Sequence, residues 1–286
     1  GFHGMSMGSL SITGNRYYHD ESYGVPGYTT QVPFHNYLGD KVDTVAYLRK
    51  ILEDDSSGTE LPAAIVLETI QAEGGINVAG EEWLRSLRQI CDDLDILMIA
   101  DEIQIGNGRA GEFFSFERAG IVPDIVTLSK SIGAGHPMSL VLMRPELDKW
   151  SPGEHSGTFR GNNLAFVAQT AALNHYWKDK QFENEVKGKS QLVEKRMQEL
   201  ALAFPTLIRE IRGHGMIWGA EFKKPELTGL ICTQAFEDGL VIETAGAESE
   251  AIKFLGPLVI TEELINEGFD ILESAIRKVL KSGAVT

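Results

Sequence analysis

The chain of 286 residues carries 41 acidic and 26 basic side chains, a formal charge of −15, which counts against nucleic acid and anionic lipid as partners. A hydrophobic content of 43% suits a soluble globular protein with one large or two modest cores, and no apolar stretch approaches a membrane span. Two cysteines cannot make a disulfide framework or a zinc site; Cys91 and Cys232 both fall in helical-looking segments, so buried structural thiols in a reducing cytoplasm are expected.

The opening Gly1-Phe-His-Gly, with neither an initiator Met nor a capped first element, reads as a chain that begins inside a domain. A helix over 41–52 follows, with Val42, Val45, Leu48 and Leu52 facing inward. Residues 62–68, 95–101, 124–129 and 139–143 are short apolar runs that read as buried strands. Between the first two, Trp83, Leu84, Leu87, Ile90, Cys91 and Leu94 recur at helical spacing over 81–94. Strands alternating with helices predict an α/β fold with a mostly parallel sheet covered on both faces.

After Trp150 the texture changes. A Gly- and His-containing loop at 151–161 leads to helices over 164–177 and 181–203, the latter burying Phe182, Val186, Val193, Met197 and Leu200. Strand-like pieces at 216–222, 239–243 and 251–255 surround a helix near 227–238. Thr261 is a good N-cap for a last helix that closes through Leu264, Ile265, Leu272, Ile276 and Val279. The expectation is a large domain over 1–175 and a smaller α+β domain over 176–286.

Three polar residues, Glu68, Asp101 and Lys130, stand at or just past the carboxyl ends of consecutive predicted strands. In an open α/β sheet that edge is where ligands bind. Singly, each has an ordinary explanation, since acids at strand ends cap helices or face water and most lysines are solvated. Their surroundings form an ordered set. Glu68-Thr-Ile-Gln-Ala-Glu73-Gly-Gly comes first, then Ile-Ala-Asp101-Glu-Ile-Gln104-Ile-Gly-Asn-Gly-Arg-Ala-Gly, then Pro123-Asp-Ile-Val-Thr-Leu-Ser-Lys130.

This ordered set resembles the class III, or ω-type, aminotransferases of pyridoxal-phosphate fold type I, and the resemblance runs from Phe2 to the last helix. It implies that Lys130 holds pyridoxal 5'-phosphate as a Schiff base and, once released, shuttles the proton of the reaction. A desolvated amine beside a cationic ring has its charged form disfavoured, as a base at neutral pH requires. Asp101 matches the carboxylate beneath the ring nitrogen, which keeps that nitrogen protonated so that the ring accepts electrons. Gln104 matches the partner of the ring hydroxyl, and Phe2 the aromatic residue stacked on the ring face. His3 and Glu68 are carried over as further cofactor-binding positions. Thr158, in Gly157-Thr-Phe-Arg-Gly-Asn-Asn163, matches a threonine that reaches the cofactor phosphate of a neighbouring subunit, which implies at least a homodimer. Asn162 or Asn163 would in any case cap the following helix. The family's Ser/Gly-Thr-Glu-Ala phosphate turn is expected upstream of Phe2, so an amino-terminal part is expected to be missing here.

Glu73 matches a glutamate that pairs with a substrate-clamping arginine, but the arginine position is Lys253, in Ile252-Lys-Phe-Leu-Gly-Pro-Leu. Lysine is not a neutral replacement at a bidentate carboxylate site. It fits one subgroup, as do His155-Ser-Gly-Thr-Phe-Arg-Gly-Asn-Asn, Asp55-Ser-Ser-Gly and Glu243-Thr-Ala-Gly. That subgroup, known from ectoine biosynthesis, uses glutamate to aminate aspartate 4-semialdehyde to 2,4-diaminobutyrate. The expectation that follows is that Lys253 pairs with Glu73 in one half-reaction and with a substrate carboxylate in the other. Small departures, among them His136 after the lysine, Asn107 and Ala110, leave room for a relative that makes diaminobutyrate for another pathway. The same lysine and aspartate also serve aminomutases and racemases, so fold alone leaves reaction type open. A truncated chain that folds and dimerises without cofactor is the reading outside catalysis, against which the intact Asp101, Gln104 and Lys130 count.

Overall fold

A computed structural model describes residues 1–19, 24 and 27–283. Its elements in chain order are α1 (Met7–Ile12), α2 (Thr44–Glu53), β1 (Ala64–Leu67), β2 (Ile70–Gln71), β3 (Asn77–Val78), α3 (Glu81–Asp93), β4 (Leu97–Asp101), β5 (Ile125–Leu128) and β6 (Leu140–Met143). Then follow α4 (Asn163–Tyr176), α5 (Gln181–Ala203), β7 (Ile208–His214), β8 (Ile217–Phe222), α6 (Glu226–Glu237), β9 (Glu243–Ala245), β10 (Ala251–Phe254) and α7 (Glu262–Lys281).

The first sheet has the order β1-β4-β5-β6, parallel except for β6, which runs antiparallel to β5. α2 and α3 pack beside it because their apolar residues recur on one stripe: Val45, Leu48 and Leu52 on α2, and Leu84, Leu87, Ile90 and Cys91 on α3. The Asp43 carboxylate accepts from the amides of Val45 and Ala46 and so caps α2, which starts at Thr44, two residues after Val42. Val42 therefore lies outside the helix and is exposed, against the sequence expectation. The core beneath α3 holds Leu67, Met98, Ala100, Val126 and Leu128. The alternate residues Leu97, Ile99, Ile125 and Thr127 face the other side of the sheet and are half-buried. β6 departs from this pattern. Val141 and Leu142 are exposed, because β6 ends the strand order and little packs on it among the described residues.

The second sheet, β7-β8-β10-β9, is antiparallel throughout. β8 is buried along its whole length, and α5, α6 and α7 complete the core around Val193, Met197, Phe222, Ile231, Phe269 and Ile276. On α7 the buried stripe runs Ile265, Phe269, Leu272, Ile276, Val279; Leu264, expected inward, is one position off it and exposed. Thr261 does cap this helix, accepting from the amide of Leu264 at 3.3 Å. Cys91 is buried, whereas Cys232 is only half-buried, and burial pushes both thiols up to about 11. β9 begins where the piece at 239–243 was expected to end, and β7 was not foreseen.

The two sheets are joined by a third cluster, in which Ile70, Ile76 and Ile105 meet Ile217, Ala245 and Ala251. Backbone bonds cross the same seam, from Met216 N to Arg109 O at 2.8 Å and from Gly246 N to Glu73 O at 3.0 Å. The Arg109 guanidinium donates to the carbonyls of Met216 and Gly256, and burial pulls its pKa down to about 10.

Candidate active site

Because β1, β4 and β5 are parallel neighbours, their carboxyl ends share one edge of the sheet. Glu68 follows β1, Asp101 ends β4 and Lys130 lies two residues past the end of β5, so three residues distant in sequence share that edge. They line one cleft with Phe2, His3 and Gln104. The structure thus brings together six of the residues singled out from sequence.

Each is held by a specific neighbour. The buried Asp101 carboxylate accepts from Ile103 N at 3.0 Å and the Thr127 hydroxyl at 3.4 Å through Oδ1, while Oδ2 lies 2.7 Å from His3 Nδ1. His3 therefore reaches the cleft as a partner of Asp101. Glu68 Oε2 accepts from Phe2 N at 3.0 Å and its Oε1 from Ala72 N at 3.2 Å, fixing the backbone that carries the Phe2 ring. Lys130 sits at the start of a short 3₁₀ turn with a φ of 53°, a left-handed conformation uncommon outside glycine and enriched at functional sites. Although Lys130 as a whole is exposed, desolvation of its amine at the cleft lowers the pKa; the charge of Glu73 pulls the other way and that of Lys253 adds to the depression.

A second constellation adjoins the first. Lys253, on β10 and wholly buried, places Nζ 2.7 Å from Glu73 Oε1 and 2.9 Å from Glu243 Oε1. Gln104 Nε2 donates to the same Glu73 oxygen at 2.8 Å, so one amide links the cleft to the buried ammonium. Burial alone would raise the Glu73 pKa, but the bonds from Lys253 and Gln104 outweigh it and hold the carboxyl below its ordinary range. Sequence reading anticipated the Glu73–Lys253 pair but gave Glu243 no role. The strand-like pieces at 239–243 and 251–255 were a usable signal, because a hairpin between them sets residue 243 opposite 253. Also unforeseen was Glu102, buried beside Asp101, whose pKa burial raises to about 7 against hydrogen bonds from the Ser115 amide and hydroxyl.

Thr158 does not line this cleft; it lies in an exposed turn before α4. Asn162 caps that helix, its side chain accepting from Leu164 N at 3.0 Å. α4 is apolar on more than one side yet buries only Ala165 and Gln169, leaving Leu164, Phe166 and Val167 exposed, with Phe159 just before it. His136 is exposed and away from the cleft. The described residues contain no cluster suited to a metal ion and no helix long and apolar enough to cross a membrane.

A depressed amine and a fixed, buried carboxylate thus line one cleft. The Aminotransferase class-III family matches residues 1–276, and the chain belongs to that family. Among its relatives, the diaminobutyrate–2-oxoglutarate transaminase of Wolinella succinogenes is 54% identical over 98% of the chain and 65% of its own length. The enzyme of the same name from Virgibacillus pantothenticus is 51% identical over 98% of the chain and 67% of its own length. The chain thus spans about two thirds of the curated relatives it matches. The ornithine aminotransferase of Toxoplasma gondii, whose active site is partly occupied by pyridoxal phosphate, superimposes with a TM-score of 0.83 at 26% identity, over 98% of this chain and 62% of that one. This fold is that of fold type I, as the motifs implied.

The residues present fit pyridoxal phosphate on chemical grounds. Lys130 offers an amine whose charged form is disfavoured, Asp101 a buried carboxylate for a protonated ring nitrogen, and Phe2 an aromatic face on the same cleft.

Proposed function

We propose that the complete protein is a pyridoxal-phosphate-dependent aminotransferase that moves the amino group of glutamate to the aldehyde carbon of aspartate 4-semialdehyde, releasing 2-oxoglutarate and 2,4-diaminobutyrate. The observation that carries this reading is the meeting of the Lys130 amine and the Asp101 carboxylate on one cleft rim, beside Glu73 and Lys253. The names of the relatives supply the substrate pair.

Bound pyridoxal phosphate supplies the electron sink that lets an amine and a carbonyl exchange on one carbon. Lys130 would hold that group through Nζ and, when displaced by substrate, take the proton from the substrate's amine-bearing carbon. Asp101 would keep a proton on the ring nitrogen, its own orientation fixed by Ile103 N, Thr127 and His3. Phe2 would cover one ring face, its position set by Glu68, and Gln104 would reach the ring from the Glu73 side. Lys253 would receive a substrate carboxylate.

The exposed apolar side chains of α4, with Thr158 in the turn before it, support a homodimer in which Thr158 serves the partner's cofactor phosphate. Residues 1–175 would form the cofactor-binding domain and 176–286 a smaller second domain, since the second core draws on residues from Tyr176 onward. Two cysteines kept as free thiols suit a cytoplasmic enzyme.

The test offers the complete gene product, loaded with cofactor, glutamate together with aspartate 4-semialdehyde and counts the 2-oxoglutarate formed. Semialdehyde-dependent formation is expected, falling by about a thousandfold in Lys130→Ala. No 2-oxoglutarate with this or any other ω-aldehyde would overturn the proposal.

A further inference from the structure

Glu102 follows Asp101 directly, so the two carboxylates leave the end of β4 on opposite sides. Asp101 lines the cleft; Glu102 does not, and at 1% exposure it is the more deeply buried of the two. Its Oε2 accepts from Ser115 N at 3.0 Å and its Oε1 from the Ser115 hydroxyl, which also meets the hydroxyl of the buried Thr69. Its backbone is fixed as well, N donating to Thr127 O and O accepting from Gly106 N at 2.9 Å each. Among the described residues Glu102 forms no ion pair, and Asp101 pairs only with His3. Arg118 senses the charge of Glu102 but gives its guanidinium to the carbonyls of Thr69 and Ala79.

Each hydroxyl of this network has one hydrogen to give, and the count favours an ionised Glu102. With Glu102 ionised, Thr69 donates to Ser115 and Ser115 to Glu102, so every hydrogen has an acceptor. With Glu102 protonated, the chain runs the other way and the Thr69 hydrogen has no acceptor among the described residues. Burial and the charge of Asp101 oppose ionisation, and the balance leaves the group raised to about 7. Two buried carboxylates side by side thus lack a cation that the polypeptide does not place against Glu102. A capping role at the turn Ser115–Ala119 accounts for the hydrogen bonds, but an amide oxygen would serve it equally.

We propose, resting on the cofactor assignment above, that Glu102 is a second carboxylate of the cofactor site, whose charge acts from behind Asp101 to favour a protonated ring nitrogen. The protonated ring is then the cation that the Asp101–Glu102 pair lacks. The dependence is mutual: whatever the charge of Glu102 adds to the grip on the protonated ring, the ring returns by holding Glu102 ionised. Contact is not required, since a unit charge shielded from water is felt over several ångströms. Glu102 therefore tunes the cofactor without touching cofactor or substrate, and Ser115 and Thr69 orient it for that.

The test measures binding without turnover. Pyridoxal phosphate and its 1-deaza analogue, in which carbon replaces the ring nitrogen, are titrated into the complete cofactor-free protein at about pH 8, where Glu102 is ionised. Glu102→Gln keeps an acceptor for Ser115 N and removes the charge. It should weaken pyridoxal phosphate roughly tenfold and leave the deaza analogue unchanged. Glu102→Asp keeps the charge while disturbing the hydrogen bonds, and should retain the wild-type preference between the two aldehydes. An equal effect of Glu102→Gln on both ligands would reduce Glu102 to a cap of the Ser115 turn and overturn the proposal. So would an unchanged affinity for pyridoxal phosphate in Glu102→Gln, or a preference lost to the same extent in Glu102→Asp. A wild-type protein that bound neither aldehyde would instead overturn the cofactor assignment, and this proposal with it.

Discussion

The two sheets of this molecule carry different parts of one site in different ways. The parallel sheet delivers Glu68, Asp101 and Lys130 from successive strand ends, each held by backbone amides, a neighbouring hydroxyl or a strained turn. The antiparallel sheet delivers Lys253 and Glu243 from paired positions of a hairpin, held mainly by each other and by Glu73. A strand end in a parallel sheet is placed by the pairing of the whole sheet, so its geometry is hard to disturb locally. A cross-strand pair near a sheet edge can exchange one partner without moving a strand.

The largest expected effect comes from loosening the fixed half. Asp124, at the amino end of β5, accepts from Met98 N and from Arg88 at 2.7 Å each and pairs with Arg144 at 3.1 Å. Asp124→Ala would strand a buried amide and the mostly buried Arg88, which retains only the more exposed Asp92. Denaturant unfolding should show a loss of about 3 kcal/mol.

The fixed half was also the legible half. Lys130, Asp101 and Glu68 could be placed on one rim from sequence because parallel strands are continuous apolar runs, and a polar residue at the end of such a run stands out. Helices with a regular stripe were equally plain; α5 was expected over 181–203 and occupies Gln181–Ala203. What failed lay at edges and ends. β7 reads Ile-Arg-Glu-Ile-Arg-Gly-His, and its charges hide a strand that needs protection from pairing only because it lies at the edge. Val42 and Leu264 were assigned inward by period alone, although a cap and a first turn put them outside the stripe. The Glu243–Lys253 contact depends on a register set by the turn between β9 and β10. Strand limits that are off by a few residues are enough to conceal it.

The seam offers a smaller and more local perturbation. Gly215 precedes β8 with a φ of 60°, and a Cβ there would come within 2.4 Å of Ala110 C and 2.6 Å of Arg109 O. Those are backbone atoms and cannot rotate aside. Gly215→Ala should cost about 2 kcal/mol and lower the thermal midpoint, since it pushes the loop after Gln104 against the sheet that carries Lys253. An unchanged midpoint would show that this loop moves aside freely.

The smallest effect is the pH response of the Glu73–Lys253 tie, and its sign follows from the direction of the shift. The Glu73 carboxyl is held below its ordinary range in the folded protein, so the folded state binds its proton less readily than the unfolded chain does. The stability this contributes is fully present above the ordinary carboxylate value of about 4.3 and disappears as pH falls through the depressed folded value. Because the Glu73 side chain is partly exposed, the contribution should be on the order of 1 kcal/mol, or about 2–4 °C in Tm for a chain of this size. Glu73→Gln should therefore melt a few degrees below wild type at pH 7, with the gap closing below about pH 4. A Tm difference that is constant across this range would mean that Glu73 acts through shape rather than charge. In that case the charge of the buried Lys253 would be compensated by Glu243, across the β9–β10 pairing, rather than by Glu73.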